Sequence, residues 1–341
     1  MIDTLAASPS AASLLGWRHA AARWVAAPRA SADVAPDFVP LWAYLFHDIS
    51  TREIDGATRT SLQRALLAEA GPLGRYFPWR MNNGSVMAIS PVEGTARHLT
   101  VGWTCFLEGQ WEPHLEQRLR ECVTPDAVVV DVGANLGYLT AAMAQCVPEG
   151  RVYAFEPHVS TYERLVASMR LSALTNVTTF RIALGASDGR GELFAHETAT
   201  GNASLCRDPL SRLCRPQPVE LRSLDSMVAA GEVEEPDLIK IDVEGYELNV
   251  LFGARETIAR AHTSIVFELN ERMSRFGGWN AVQLADVLES AGRFSYFAIE
   301  ESALHAIDLR GFTLAKNTDI NILAVNASHA ARQSQRSRRA R

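Results

Sequence analysis

The sequence predicts an α/β fold: a mostly parallel, seven-stranded sheet with helices on both faces, preceded by a helical amino-terminal extension. Three observations carry this expectation. Short apolar runs alternate with helix-length amphipathic stretches from about residue 110 to residue 326, and such alternation forces parallel strands joined by helical crossovers. The first run, Ala127 to Val132, is apolar except for Asp131, the pattern of a strand buried on both faces. A glycine-containing turn, Gly133 to Gly137, then joins that strand to the first helix of the series.

The elements follow in order. Residues 1 to 75 read as helical, with Leu41, Trp42, Leu45 and Phe46, and then Leu62, Leu66 and Leu67, at helical spacing. The Ala- and Arg-containing stretch Ala6 to Ala30 reads as an amphipathic helix rather than a targeting peptide, because Arg18, His19 and Arg23 interrupt any apolar run. Gly71-Pro72 and Pro78 break the pattern, and Ser85 to Ser90 and His98 to Phe106 look like short strands. Seven strands are expected after that: 127–132, 151–155, 177–183, 238–241, 264–267, 296–299 and 320–325. Helices are expected over 138–146, 160–171 and 281–291. From Ala327 the chain carries five Arg and no acid, and reads as a disordered tail. The division is therefore 1–108 for the extension, 109–326 for the α/β domain and 327–341 for the tail.

Composition limits the function classes. The 341 residues are 47% hydrophobic and 21% charged, enough for a real core. A net charge of -6 is a poor match to nucleic acid, which asks for a broad cationic surface. No apolar run reaches the roughly 20 residues that span a bilayer, so no membrane partner is expected. Five Cys with no C-x-x-C pair read as reduced thiols of a cytoplasmic protein; Cys206 and Cys214, eight apart in a loop, could bridge, but nothing in the sequence supports it. The Trp-rich amino-terminal helices offer a surface on which two copies could form a homodimer.

In a doubly wound sheet, ligands sit at the carboxyl ends of the strands near the point where strand order reverses. Asp131, Glu156, Asp242 and Glu268 all fall at or near such ends. Four acids there are hard to explain by packing, since a buried carboxylate is costly without a partner. The turn after the first strand reads Gly133-Ala134-Asn135-Leu136-Gly137 rather than the G-x-G-x-x-G that seats a pyrophosphate. Its glycines let a ligand approach the main chain, so a side chain at Gly133 is expected to intrude on that ligand. The neighbouring acid Asp131 suits an ammonium or sulfonium ligand better than a pyrophosphate. Glu156, nineteen residues after Gly137, is placed to accept both hydroxyls of a nucleoside ribose.

Taken together, Val130 to Gly137, Phe155-Glu156-Pro157, Leu224-Asp225, Ile239 to Glu247 and Leu251-Phe252-Gly253-Ala254 resemble, in order and spacing, the FkbM-type methyltransferase family. The resemblance covers about residues 109 to 270. It implies a class I, Rossmann-like methyltransferase fold, S-adenosylmethionine as cofactor, and O-methylation of a hydroxyl on a sugar or secondary metabolite, so the acceptor is a small molecule or glycan. By the same resemblance Asp131, Gly133, Asn135 and Gly137 match the cofactor loop and Glu156 the ribose acid. Ala183 matches the adenine-side segment, with Asp188 nearby as a base contact. Glu112, in Gly109-Gln110-Trp111-Glu112, would face the cofactor's amino-acid end.

Methyl transfer from a sulfonium to an alcohol asks for in-line placement and for a group that takes the hydroxyl proton. Asp242, Glu244 and Glu268 are the candidates, whereas Glu247, in the first turn of the next helix, reads as structural. No metal is expected: Asp242 and Glu268 lack an evident third ligand, and no His- or Cys-rich spacing is present. The polar piece Thr200 to Ser204, between the third and fourth strands, reads either as a lid over the strand ends or as a surface hairpin. Two other functional readings stay open on the residues alone: a nicotinamide-dependent oxidoreductase on a similar sheet, and a catalytically silent nucleoside-binding module.

Overall fold

The computed structural model describes residues 76–90, 101–196, 199–207, 214, 216–261, 263–301 and 303–328. The helices expected within residues 1–75 and the tail beyond Ser328 lie outside the described residues. The described residues from Pro78 to Ile89 and from Val101 onward belong to one compact unit.

The unit begins with a strand pair, β1 (Phe77–Arg80) and β2 (Val86–Ile89). The next segment departs from expectation: where a strand was read over 98–106, Val101–Glu108 is helix α1. The stop signal explains it. Gly109 adopts φ 69 and its amide bonds the Cys105 carbonyl at 2.9 Å, while the Asn82 side-chain amide donates to the Glu108 carbonyl at 3.1 Å. A left-handed glycine after the last helical residue satisfies the terminal carbonyls. A β-carbon at Gly109 would fall 2.4 Å from Asn82 Oδ1. Helix α2 (Pro113–Glu121) follows, with Pro in its first turn.

The central sheet is built from β3 (Val128–Val132), β4 (Arg151–Phe155), β5 (Val177–Phe180), β10 (Leu238–Ile241), β11 (Ser264–Asn270), β12 (Phe294–Ile299), β13 (Leu304–Ile307) and β14 (Asp319–Asn326). Its order is β13-β12-β14-β11-β10-β3-β4-β5. The five strands from β5 to β11 run parallel, and β14, β12 and β13 join antiparallel. This is the doubly wound arrangement expected of the class I fold. The sheet has eight strands, one more than the seven expected. The extra strand, β13, is a largely exposed edge strand paired only with β12, so no apolar run marks it.

Helices α3 (Tyr138–Cys146), α4 (Val159–Leu171), α5 (Leu224–Ala229), α6 (Glu247–Phe252), α7 (Arg255–Ala261), α8 (Glu271–Gly277) and α9 (Ala281–Ala291) complete the series. Several begin where the sequence supplies a cap: Ser223, Asn270 and Asn280 each accept an amide of the following turn, Asn280 in a full capping box with Gln283. Strand β2, which the sequence division at residue 108 assigns to the extension, docks on α4. Its Val86 and Ala88 amides donate to Ser172 Oγ at 2.8 Å and Ser168 Oγ at 3.0 Å. The core lies between the sheet and these helices, with Phe155, Phe267, Ile239, Ile241 and Leu251 fully shielded.

The stretch read as one third strand, 177–183, divides. β5 stays in the central sheet, while β6 (Ala183–Leu184) pairs in a second sheet with β7 (Gly189–His196), β8 (Ala199–Ser204) and β9 (Pro216–Arg222), in the order β6-β9-β7-β8. The main sheet reverses direction of growth at β3, which has β4 on one side and β10 on the other. The turn after β3 and the turn after β10 therefore meet at the switch point, where such folds bind ligands.

Candidate active site

Strand β10 reads Leu238-Ile239-Lys240-Ile241, and all four residues are buried. A lysine there needs partners. Register supplies the first: Lys240 sits directly opposite Asp131 on β3. Its Nζ lies 3.4 Å from Asp131 Oδ1, 3.4 Å from Asp242 Oδ2 and 3.2 Å from the Gly133 carbonyl, to which it donates. Burial alone would lower the ammonium's pKa. The carboxylates of Asp131 and Asp242, with Glu112 near, more than offset that and raise it above the ordinary value. Lys240 thus ties the first strand-end acid, the glycine turn and the second strand-end acid together. The sequence reading gave it no role, although a cation inside an apolar strand was the available signal.

Asp131 is wholly buried, and its other oxygen accepts from Thr140 Oγ1 at 2.5 Å. It lies beneath the turn, bracing α3 and Lys240, rather than open toward a ligand. The turn itself is closed on itself. The Gly133 and Ala134 amides both donate to the Phe155 carbonyl at 3.0 Å, Asn135 N to Glu156 Oε2 at 3.0 Å, Leu136 N to Asn135 Oδ1 at 2.8 Å, and Gly137 N to the Ala134 carbonyl at 2.9 Å. Gly133 has φ 79, and a β-carbon on it would fall 1.8 Å from the Asp242 carbonyl oxygen. What demands glycine here is the neighbouring backbone, which corrects the expectation that a side chain would meet the ligand first.

Glu156 ends β4 as expected. Its Oε1 accepts from His158 N at 2.9 Å, so it joins the turn after β3 to the start of α4. Burial pushes its pKa up to about 7, against the two amides that favour the carboxylate. Ala183 is buried in β6, against β9. Asp188, read as a possible base contact, is engaged elsewhere: it accepts from Ser223 N and Ser226 Oγ and pairs with Arg222, at the start of α5.

The acids after β10 and in β11 converge. Asp242 is 31% exposed, the open member of the Lys240 group. Glu244, at φ 54, and Glu268 bring one carboxylate oxygen each to within 4.8 Å of Asp242 and of one another. The turn carrying Glu244 is held from three sides. Glu247 Oε1 accepts the Val243 and Gly245 amides at 3.1 Å each, a clamp in keeping with its structural reading. Ser204 Oγ, at the end of β8, donates to the Glu244 carbonyl at 2.6 Å. Trp279 Nε1 and Cys206 Sγ donate to the Gly245 carbonyl at 2.6 and 3.1 Å. The polar piece 200–204 is therefore an outer strand of the small sheet whose end grips this turn. Cys206 and Trp279 carry no sequence signal for the site, and Ser204 enters it only as the end of the piece read as a lid or hairpin, because only the folded chain brings these residues to the turn at residue 244.

Electrostatically the site is acidic. Burial, reinforced by Asp242 and Glu247, pushes Glu244 up to about 8. Burial with Asp242 and Glu244 raises Glu268 well above the ordinary glutamate value. Glu112, at φ 43 just before α2, is raised to about 7 by burial and then by Asp242, with Lys240 opposing. It therefore belongs to the same field as Asp242 and Lys240.

Sequence comparison now gives this geometry its family. The profile of the FkbM methyltransferase domain matches residues 131–296. The hexuronic acid methyltransferase AglP of Haloferax volcanii is 30% identical over 185 residues, covering 52% of this chain and 72% of AglP. The chain belongs to the FkbM methyltransferase family. The 2-O-methyltransferase NoeI of Sinorhizobium fredii is 29% identical over 150 residues, 40% of this chain and 60% of NoeI. The AMB antimetabolite synthetase AmbE of Pseudomonas aeruginosa is 26% identical over 201 residues, 49% of this chain but only 10% of AmbE. Among solved structures, the FkbM methyltransferase of Methylobacillus flagellatus KT aligns with TM-score 0.39 at 15% identity, over 84% of this chain and 59% of that one. Among the described residues of this FkbM member, no helix is long and apolar enough to cross a membrane.

Proposed function

We propose that this FkbM-family chain is an S-adenosylmethionine-dependent O-methyltransferase acting on a hydroxyl of a sugar or other hydroxylated metabolite. The observation that carries the reading is the turn after β3. Its five amides, from Gly133 to Gly137, are all bonded within the protein. A pyrophosphate wants free amides and positive potential. This turn offers neither, and Glu112, Asp242 and Glu156 surround it. That disfavours a nicotinamide dinucleotide and suits a ligand whose amino-acid end carries an ammonium and a sulfonium. The names of two relatives support parts of this: a hexuronic acid methyltransferase a sugar-acid acceptor, and a 2-O-methyltransferase transfer to oxygen.

In this reading Glu156 accepts the ribose hydroxyls on the lone pairs its two backbone bonds leave, and the β6 backbone at Ala183 borders the adenine. Glu112 faces the ammonium. Asp131, Gly133, Asn135 and Gly137 hold the turn in shape. When bound, the cofactor supplies a methyl group already activated by its sulfonium. The remaining task belongs to the acids. Asp242, the exposed one, holds the acceptor hydroxyl and takes its proton as the oxygen bonds the methyl carbon and the carbon–sulfur bond breaks. Glu244 and Glu268 line the same opening, and a carboxylate with a raised pKa is suited to keep or pass that proton near neutral pH. The test is calorimetry of the full chain with S-adenosylhomocysteine and with NAD, followed by methyl transfer to a panel of monosaccharides and hydroxylated metabolites. Binding of NAD in preference to S-adenosylhomocysteine would overturn the reading.

A further inference from the structure

We propose that Asp242, Glu244 and Glu268 bind a divalent cation of the hard, oxygen-seeking kind, such as magnesium, manganese or calcium. The site itself stands on geometry; the part we give it in positioning the acceptor rests on the methyltransferase reading above. Three carboxylates from the β10 turn and from β11 bring one oxygen each within 4.8 Å of one another. Two oxygens bound to one calcium at 2.3–2.6 Å lie at most about 5 Å apart, so the spacing is within reach of one coordination shell, calcium's more readily than that of the smaller magnesium. The set is all oxygen, the donor chemistry of those cations rather than of zinc or copper.

A second observation points the same way. Glu268 Oε2 is shut off from solvent and accepts no hydrogen bond. Such an atom is costly unless something occupies the space before it. Lys240 pairs with Asp242 but is shared with Asp131 and the Gly133 carbonyl. A divalent ion would place one charge among three ligands. The backbone around Glu244 is also fixed in advance, by Glu247 from within and by Ser204, Cys206 and Trp279 across the turn. With Asp242 as a ligand, the cation would hold oxygens of a polyol acceptor at its open positions and lower the pKa of the one to be methylated, taking over the activation that Asp242 supplies in the metal-free reading.

Manganese titration of the chelator-stripped full chain, followed by its electron paramagnetic resonance, tests this directly. One saturable site per chain is expected. Glu268→Gln and Glu244→Gln should each weaken it at least about tenfold, as loss of a ligand does, while Glu256→Gln, an exposed acid elsewhere, should not. Manganese should also raise the melting temperature of the wild type by linkage and leave that of Glu268→Gln unmoved. That comparison guards against misfolded variants, since removing a like charge here should not unfold the protein. No saturable site up to about 10 mM, well beyond the weakest natural carboxylate sites, or a site indifferent to both substitutions, overturns the proposal. S-adenosylhomocysteine binding, measured separately without manganese, tells the two readings apart: its loss alone sinks the methyltransferase assignment, and loss of the metal alone sinks this one.

Discussion

Lys240 and Asp131 face each other across the β3–β10 ladder, 3.4 Å apart, both almost wholly shielded from solvent. Through Lys240 the pair also reaches Asp242 and the Gly133 carbonyl. The fold's switch point is thus fastened by one ammonium, and the exposed acid of the site is held by the group that holds the glycine turn.

Lys240→Met tests that fastening. It keeps most of the side chain, lacking the terminal ammonium, and leaves Asp131 with Thr140. Breaking a buried ion pair from one side costs about 3–5 kcal/mol, and urea unfolding should show a loss of that size. A loss under about 1 kcal/mol would mean that the pair contributes little and that Thr140 suffices.

Gly133→Ala places a methyl group 1.8 Å from the Asp242 carbonyl oxygen at a positive φ. The turn or the strand end must move. We expect lower thermal stability together with weaker S-adenosylhomocysteine binding. Weaker binding with an unchanged melting temperature would instead locate the clash in the ligand space.

Glu156→Ala removes the acceptor for the Asn135 and His158 amides and, in the proposed reading, for the ribose. Loss of a charge-assisted hydrogen bond costs about 1.5–3 kcal/mol, or about ten- to a hundredfold in cofactor affinity measured by calorimetry. A change below about twofold would refute the ribose assignment.

Asp242→Asn should lower turnover by about two to four decades, the worth of a positioned base, while S-adenosylhomocysteine affinity changes far less. The opposite ordering, in which binding collapses and turnover at saturation survives, would assign Asp242 to the cofactor's ammonium. Wild-type turnover would move the base to Glu244 or Glu268.

Stability should fall as pH rises. Glu112, Glu156 and Glu247 are raised to about 7 and Glu244 to about 8, each chiefly by burial. A carboxyl whose folded pKa is raised binds its proton more tightly when folded. Its contribution is complete below the ordinary glutamate value near 4.5 and is lost as pH climbs through 7 to 8. Urea midpoints of the metal-free protein between about pH 5 and pH 8.5 should therefore decline. A flat or rising profile would show that these acids are already ionised in the folded chain.

What the sequence by itself determined was the alternating α/β order, the glycine turn after the first strand and the placement of Asp131, Glu156 and Asp242 at or next to strand ends; Glu268, expected just past its strand, lies inside the longer β11. Those depend on local signals: continuous apolar runs, a glycine turn, and acids at the ends of strands. Folding decided the rest, because the deciding contacts are long-range. Strand β13 escaped because an exposed edge strand needs no apolar run, and α1 because its stop depends on Asn82 as well as Gly109. Lys240 was legible as a charge out of place, but two of its three partners, Asp131 and the Gly133 carbonyl, meet it only once β3 and β10 lie side by side. The same holds for Glu244. Its acidity was visible in the chain, yet its meeting with Asp242 and Glu268 required β11 beside β10, and its fixed turn required Ser204 and Trp279. Periodicity fixes which face a residue takes, whereas strand register and packing fix which charges meet.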